Sequence, residues 1–120
     1  MKPGERDFIL YLEDIALSML RVQEYITGLD FPQFKQDYKT IDAVIRNFEI
    51  IGEASKNLPK EIKDKYTNVP WEEMYRLRNR ISHEYFGIDY EIIWDIATSE
   101  LPSNYRDVCT ILEIERTSKR

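Results

Sequence analysis

The segment RLRNRISHEYFG, residues 76–87, gathers Arg76, Arg78 and Arg80 with His83, the chain's one histidine, and Tyr85. A guanidinium fork can hold a phosphate group through two parallel hydrogen bonds. An imidazole that titrates near neutrality can take up or release a proton. Composition and spacing alone also allow structural roles for each: a surface histidine, solvated or salt-bridged arginines, a packing tyrosine.

The rest of the chain bounds what this chemistry can serve. Its 120 residues suit a single domain spanning 1–120, long enough for an apolar core without a disulfide or metal staple. A composition of 42% hydrophobic and 32% charged residues is globular rather than disordered. The net charge of −5 argues against binding long nucleic acid over the whole surface, so any such site is local, with RLRNR as its centre. The terminal RTSKR reads as a solvated tail. Cys109 is alone and lies among apolar residues, as a buried structural thiol would, and its solitude fits a reducing compartment. Charges interrupt the N-terminal apolar run, and no uncharged stretch is long enough to span a bilayer, so a cytoplasmic protein is expected. No zinc-like Cys/His spacing occurs.

Apolar spacing predicts helices. Phe8, Leu12, Ile15, Met19 and Ile26 form one stripe over residues 5–27, ended by Gly28 with Pro32 opening the next element. Residues 33–38 read as a short helix or turn. Ile41, Val44, Ile45, Phe48 and Ile51 form a second stripe from about Thr40 to Lys56. Gly52 continues that face, which predicts either a tight helix crossing or a weak point. A short helix is expected after Pro59. A third long helix is expected from Pro70, with Asn68 as a nearby cap, to about Gly87. Two more follow, one capped by Asp89 and one starting near Pro102. Four to five helices with short loops predict an all-α antiparallel bundle.

On a helix turning about 100° per residue, Met74, Leu77 and Ile81 make the core stripe of the third helix. Arg78 and Tyr85 lie at its edge, while Ser82, Tyr75, Phe86, Asn79 and His83 fan toward the outside. Asn79 and His83, four apart, share a face. Arg78 and His83 lie about 140° apart and do not converge from one straight helix. A second copy related by two-fold symmetry would bring both pairs into one cleft, which predicts a two-fold homodimer.

The pattern R-x-x-x-x-H-x-Y, carried by Arg78, His83 and Tyr85, resembles that of the HepT-like toxins of the HEPN superfamily. Family-like pieces also occur in order: AVIRNFEIIGEASKNLP at 43–59, VPWEEMYRLRNRISHEYFGIDYEIIWDI at 69–96, and LP at 101–102. The resemblance covers about residues 7–115. It implies a HEPN-like helical dimer and a metal-independent endoribonuclease without cofactor, with a composite site of Arg78 and His83. It also implies a partner, an MntA-type nucleotidyltransferase antitoxin in a type VII-like pair, that adenylylates Tyr85 to silence the toxin.

Within that expectation RNA supplies its own nucleophile, the 2′-hydroxyl. His83 takes its proton or protonates the leaving 5′-oxygen, and Arg78 offsets the growing phosphate charge. Asn79 would orient His83 or bind phosphate, with Ser82 in support. Arg46 and Glu53, seven apart on one helix face, would support the cleft or form an ordinary ion pair. Arg76 and Arg80 would steer RNA or remain solvated charge. The competing function is a non-catalytic helical dimer that binds or regulates a partner nucleotidyltransferase. The acidic net charge favours that alternative, and the intact Arg78/His83 pair favours the nuclease.

Overall fold

The computed structural model describes residues 7–83 and 87–118, excluding the side chain of His83. Among these, the chain forms an all-α bundle: α1 (Phe8–Ile26), α2 (Phe31–Gln36), α3 (Tyr38–Asn57), α4 (Lys60–Lys65), α5 (Trp71–Tyr75), α6 (Leu77–Ile81), α7 (Tyr90–Asp95) and α8 (Leu101–Ser118). A small antiparallel ribbon, β1 (Ser82–His83) with β2 (Gly87–Ile88), separates α6 from α7. No helix among the described residues is long and apolar enough to cross a membrane.

The helix boundaries follow local chemistry. Asp7 caps α1 by accepting from the Ile9 N–H at 3.0 Å. Gly28, just beyond its end, has φ +83, a conformation that suits glycine. Asp30 and Gln33 form a reciprocal capping box that starts α2 before Pro32. Asp37 caps α3 and Asp89 caps α7. Asn68 does not cap the third segment: Pro70 occupies that position, without a side-chain cap bond.

α1, α3 and α8 enclose the core. Leu12, Ile15, Met19, Val22, Val44, Phe48, Ile51, Val108 and Ile111 are buried there. α5 and α6 contribute Trp71, Met74, Leu77 and Ile81. The predicted tight crossing is present at Gly52. A Cβ there would lie 3.1 Å from the Tyr75 carbonyl oxygen and 3.3 Å from that of Met74. Cys109 is only partly buried, at the edge of the core.

Two boundary expectations are corrected. The third helix is neither continuous nor as long as its apolar period implied. It breaks at Arg76 (φ −97, ψ 16) and ends at Ile81, with Ser82 extended at φ −98, ψ 132. The Ser82 hydroxyl donates to the Arg78 carbonyl at 2.8 Å, taking the acceptor that the next helical N–H would use. The Asp89 N–H donates to the Ile81 carbonyl at 2.6 Å. Gly87, with φ +80, lies in the returning strand rather than at a helix end. The last two helices, conversely, are not separated. A π-helical segment, Ile96–Glu100, joins α7 to α8, with the Leu101 N–H bonded to the Ile96 carbonyl. Pro102 offers no N–H and crowds the carbonyl four residues back, and the wider turn accommodates it.

The far end of the bundle carries a polar tie. Glu115 is buried and accepts from Lys65 Nζ at 2.8 Å and from the Tyr66 hydroxyl, joining α4 to α8.

Replacing Gly52 by valine forces side-chain atoms against the α5 backbone, which Trp71 and Met74 hold in the core. We expect a loss of about 2 kcal/mol in urea denaturation; unchanged stability would show that α5 moves freely.

Burial, and then Glu115, raise the Tyr66 pKa above the ordinary tyrosine value. The resulting stabilisation is complete below about pH 10, where tyrosine is protonated even in the unfolded chain, and erodes as pH rises through the higher folded value. The wild-type advantage over Tyr66→Phe should therefore shrink as pH rises above about 10; an advantage that grows with pH would contradict this.

Candidate active site

An open groove of about 490 Å³ runs between α1, α3 and the α5–α6 break. α3 lines one wall with Arg46, Glu49, Glu53 and Asn57. These positions repeat at three and four residues, so they share one helix face. α1 adds Tyr11 and Asp14, and Tyr75 and Arg78 enter from across the break. The close approach at Gly52 forms the floor between the two walls.

The structure therefore brings together three residues singled out from the sequence: Arg46, Glu53 and Arg78. No ion pair joins Arg46 to Glu53 among the described residues; instead Asn57 Nδ2 donates to Glu53 Oε1 at 3.4 Å. Tyr11, Asp14 and Glu49 also line the groove. Sequence reasoning missed them. Glu49 was the most accessible of these, since it shares the Arg46–Glu53 face, whereas Tyr11 and Asp14 belong to a separate helix and meet the groove only through packing.

The three arginines of RLRNR have different surroundings. Arg76 Nε donates to Glu72 Oε1 at 2.8 Å, and its guanidinium lies 5.6 Å from the Tyr75 ring centre. Arg80 Nη1 and Nη2 each donate to Glu100 at 2.9 Å, a bidentate pair that raises its pKa further and keeps it cationic. Among the described residues, the Arg78 side chain makes only a 3.7 Å ion pair, with Glu49, and it is 76% exposed. Arg78 is the most exposed of the three, while Arg80, expected to steer RNA, is turned onto Glu100.

Asn79 is exposed on α6. Its expected i, i+4 relation to His83 does not hold, because the helix ends at Ile81 and His83 belongs to β1, where its backbone pairs with Gly87. The same boundary removes the helical basis for aligning Tyr85 with Arg78. The His83 side chain, Tyr85 and Phe86 lie outside the described residues.

The ribonuclease HepT-like family matches residues 15–111. The chain belongs to this family. A candidate RNase from Methanocaldococcus jannaschii is 42% identical over 109 residues, covering 91% of this chain and 90% of that protein. A candidate RNase from Caldanaerobacter subterraneus subsp. tengcongensis is 42% identical over 106 residues, 88% of this chain and 95% of its own. A probable ribonuclease HepT from Thermococcus cleftensis is 43% identical over 103 residues, 86% of this chain and 91% of its own. No solved structure matches. Membership supports a ribonuclease, with RNA as the substrate class.

Glu49 pairs with Arg78 at 3.7 Å, so any anion that bound Arg78 would have to displace it. An exposed pair of this length contributes little to stability. Glu49→Gln should change folding stability by less than about 0.5 kcal/mol while tightening RNA binding in fluorescence anisotropy. Weaker binding would mean that Glu49 aids the RNA complex.

Proposed function

We propose that the chain is the toxin half of a type VII-like toxin–antitoxin pair, acting as one HEPN-like domain over residues 1–120. It is a metal-independent endoribonuclease. The observation that carries this reading is the position of Arg78 in the groove, five residues before His83 in a HepT-like ribonuclease chain.

Arg78 holds the scissile phosphate and offsets its growing negative charge. The 2′-oxygen attacks phosphorus as it loses its proton, and the bond to the 5′-oxygen breaks as that oxygen gains one. His83 serves one of these proton transfers. The products are a 2′,3′-cyclic phosphate and a 5′-hydroxyl. Asn79 and Ser82 support this segment, Ser82 through its bond to the Arg78 carbonyl. Arg46 and Glu53 line the cleft, and Arg76 guides RNA near Tyr75.

The active form is a two-fold homodimer. Arg46 and Glu53 lie about two turns apart on one α3 face, so an antiparallel copy can set each beside the opposite charge. An MntA-type nucleotidyltransferase silences the toxin by adenylylating Tyr85. The added anionic groups compete with substrate phosphate by occupancy and like charge.

Purified protein in chelator should cleave RNA. His83→Ala should be inactive, and Arg78→Ala should lose on the order of a hundredfold in rate or more. Mixing the two inactive proteins should restore part of the activity through heterodimers. With ATP and the partner nucleotidyltransferase, intact-mass spectra should show adenylyl additions on the wild type but not on Tyr85→Phe. Activity that returns only with a divalent ion would contradict metal independence. A fully active His83→Ala protein would remove the histidine mechanism. A protein that is adenylylated but never cleaves RNA would favour the non-catalytic regulatory dimer, which the groove carboxylates Asp14, Glu49 and Glu53 also suit.

A further inference from the structure

The residues before the ribbon sit on a segment with little helix of its own. α6 is five residues long, with a break at Arg76 before it and extended Ser82 after it. Leu77 and Ile81 anchor its inner face in the core. Two apolar anchors fix how deep such a short helix sits but resist rotation about its axis only weakly. On one flank of that face stands the bidentate Arg80–Glu100 pair, both bonds at 2.9 Å. Arg80 also reaches Glu73 on α5 at 3.9 Å, across the break.

Arg78 and Arg80 lie about 160° apart around a helix, so a clamp on one sets the direction of the other. A bidentate carboxylate–guanidinium pair fixes a plane as well as a distance, unlike a single-point surface bridge. Glu100 ends the π-helical segment, whose extra residue per turn shifts the phase of the residues that follow it. Two irregular elements, a broken helix and a wide turn, are joined by this side-chain pair.

We propose that Glu100 and Arg80 are positioning residues, a clamp that sets the rotation of α6 and thereby aims Arg78 into the groove and delivers the ribbon strand bearing His83. The proposal rests on the ribonuclease reading for its effect on catalysis, but the clamp itself is testable without it. Neither clamp residue touches RNA.

The experiment uses the full-length wild type, Glu100→Gln, Arg80→Lys and the exchanged double variant Arg80→Glu/Glu100→Arg. Steady-state cleavage of a fluorogenic RNA is measured beside amide hydrogen exchange across residues 77–88. Glu100→Gln should lower kcat about tenfold to a hundredfold, as a small misplacement of a reacting group does, with KM changed less than about twofold. Arg80→Lys keeps the charge but loses the fork, so it should lose kcat in the same way. The exchanged pair should recover much of the loss. Amides of α6 and the ribbon should exchange faster in the single variants than in the wild type, while those of α1 and α3 stay unchanged.

Wild-type kcat and wild-type exchange in Glu100→Gln would overturn the clamp. So would a raised KM in Arg80→Lys with kcat and exchange unaltered, which would make Arg80 a direct RNA contact. Should the wild type cleave no RNA, the ribonuclease reading fails, and local exchange in Glu100→Gln still decides whether the clamp holds α6.

Discussion

With no Cβ at Gly52, α3 comes within contact distance of the Met74 and Tyr75 carbonyl oxygens. Placing a glycine inside a helix costs about 1 kcal/mol against alanine, and here that cost permits a backbone-to-backbone crossing. The crossing determines how near α5 and α6 lie to the polar face of α3. Because they are close, Tyr75 and Arg78 stand across a narrow groove from Arg46, Glu49 and Glu53. A larger residue would part the two walls.

The same region shows how irregular backbone is stabilised. The helix gives way at Arg76, next to the crossing, and again at Ile81. At the second site two of the freed carbonyls are satisfied: Ser82 supplies its hydroxyl to Arg78, and Asp89 supplies its N–H to Ile81. One aspartate thus serves two elements, since its side chain also caps α7 at the Ile92 N–H. The ribbon is held to the next helix by the residue that starts it. This arrangement replaces one long helix with two short ones and a turn, so His83 leaves the helical wheel altogether.

Charge is divided among three arginines that look alike in the sequence. Arg76 is paired within its own turn, Arg80 is fixed by two bonds to a residue 20 positions away, and Arg78 has a long contact with Glu49. Of these three, Arg78 offers an approaching anion the least competition from carboxylates. The acidic chain can thus present a local cationic point without a basic surface, because carboxylates engage the neighbouring guanidiniums more tightly than that one.

The sequence by itself determined the helical class, the three apolar stripes, the caps at Gly28 and Asp89, and the segment that carries the family resemblance. These are local or periodic properties: side-chain spacing at 3.6 residues, the conformational freedom of glycine, a short carboxylate reaching the next N–H. Gly52 was legible only as a choice between a crossing and a weak point, because its meaning depends on what packs opposite. Tertiary structure alone decided that the third helix breaks at Arg76, although its apolar period continues into Ile81, and that it ends there, where Ser82 and Asp89 take over the Arg78 and Ile81 carbonyls. It alone brought Tyr11 and Asp14 from α1 to the groove. It alone assigned Arg80 to Glu100, since a partner 20 residues away on a π-helical turn leaves no periodic mark in the chain.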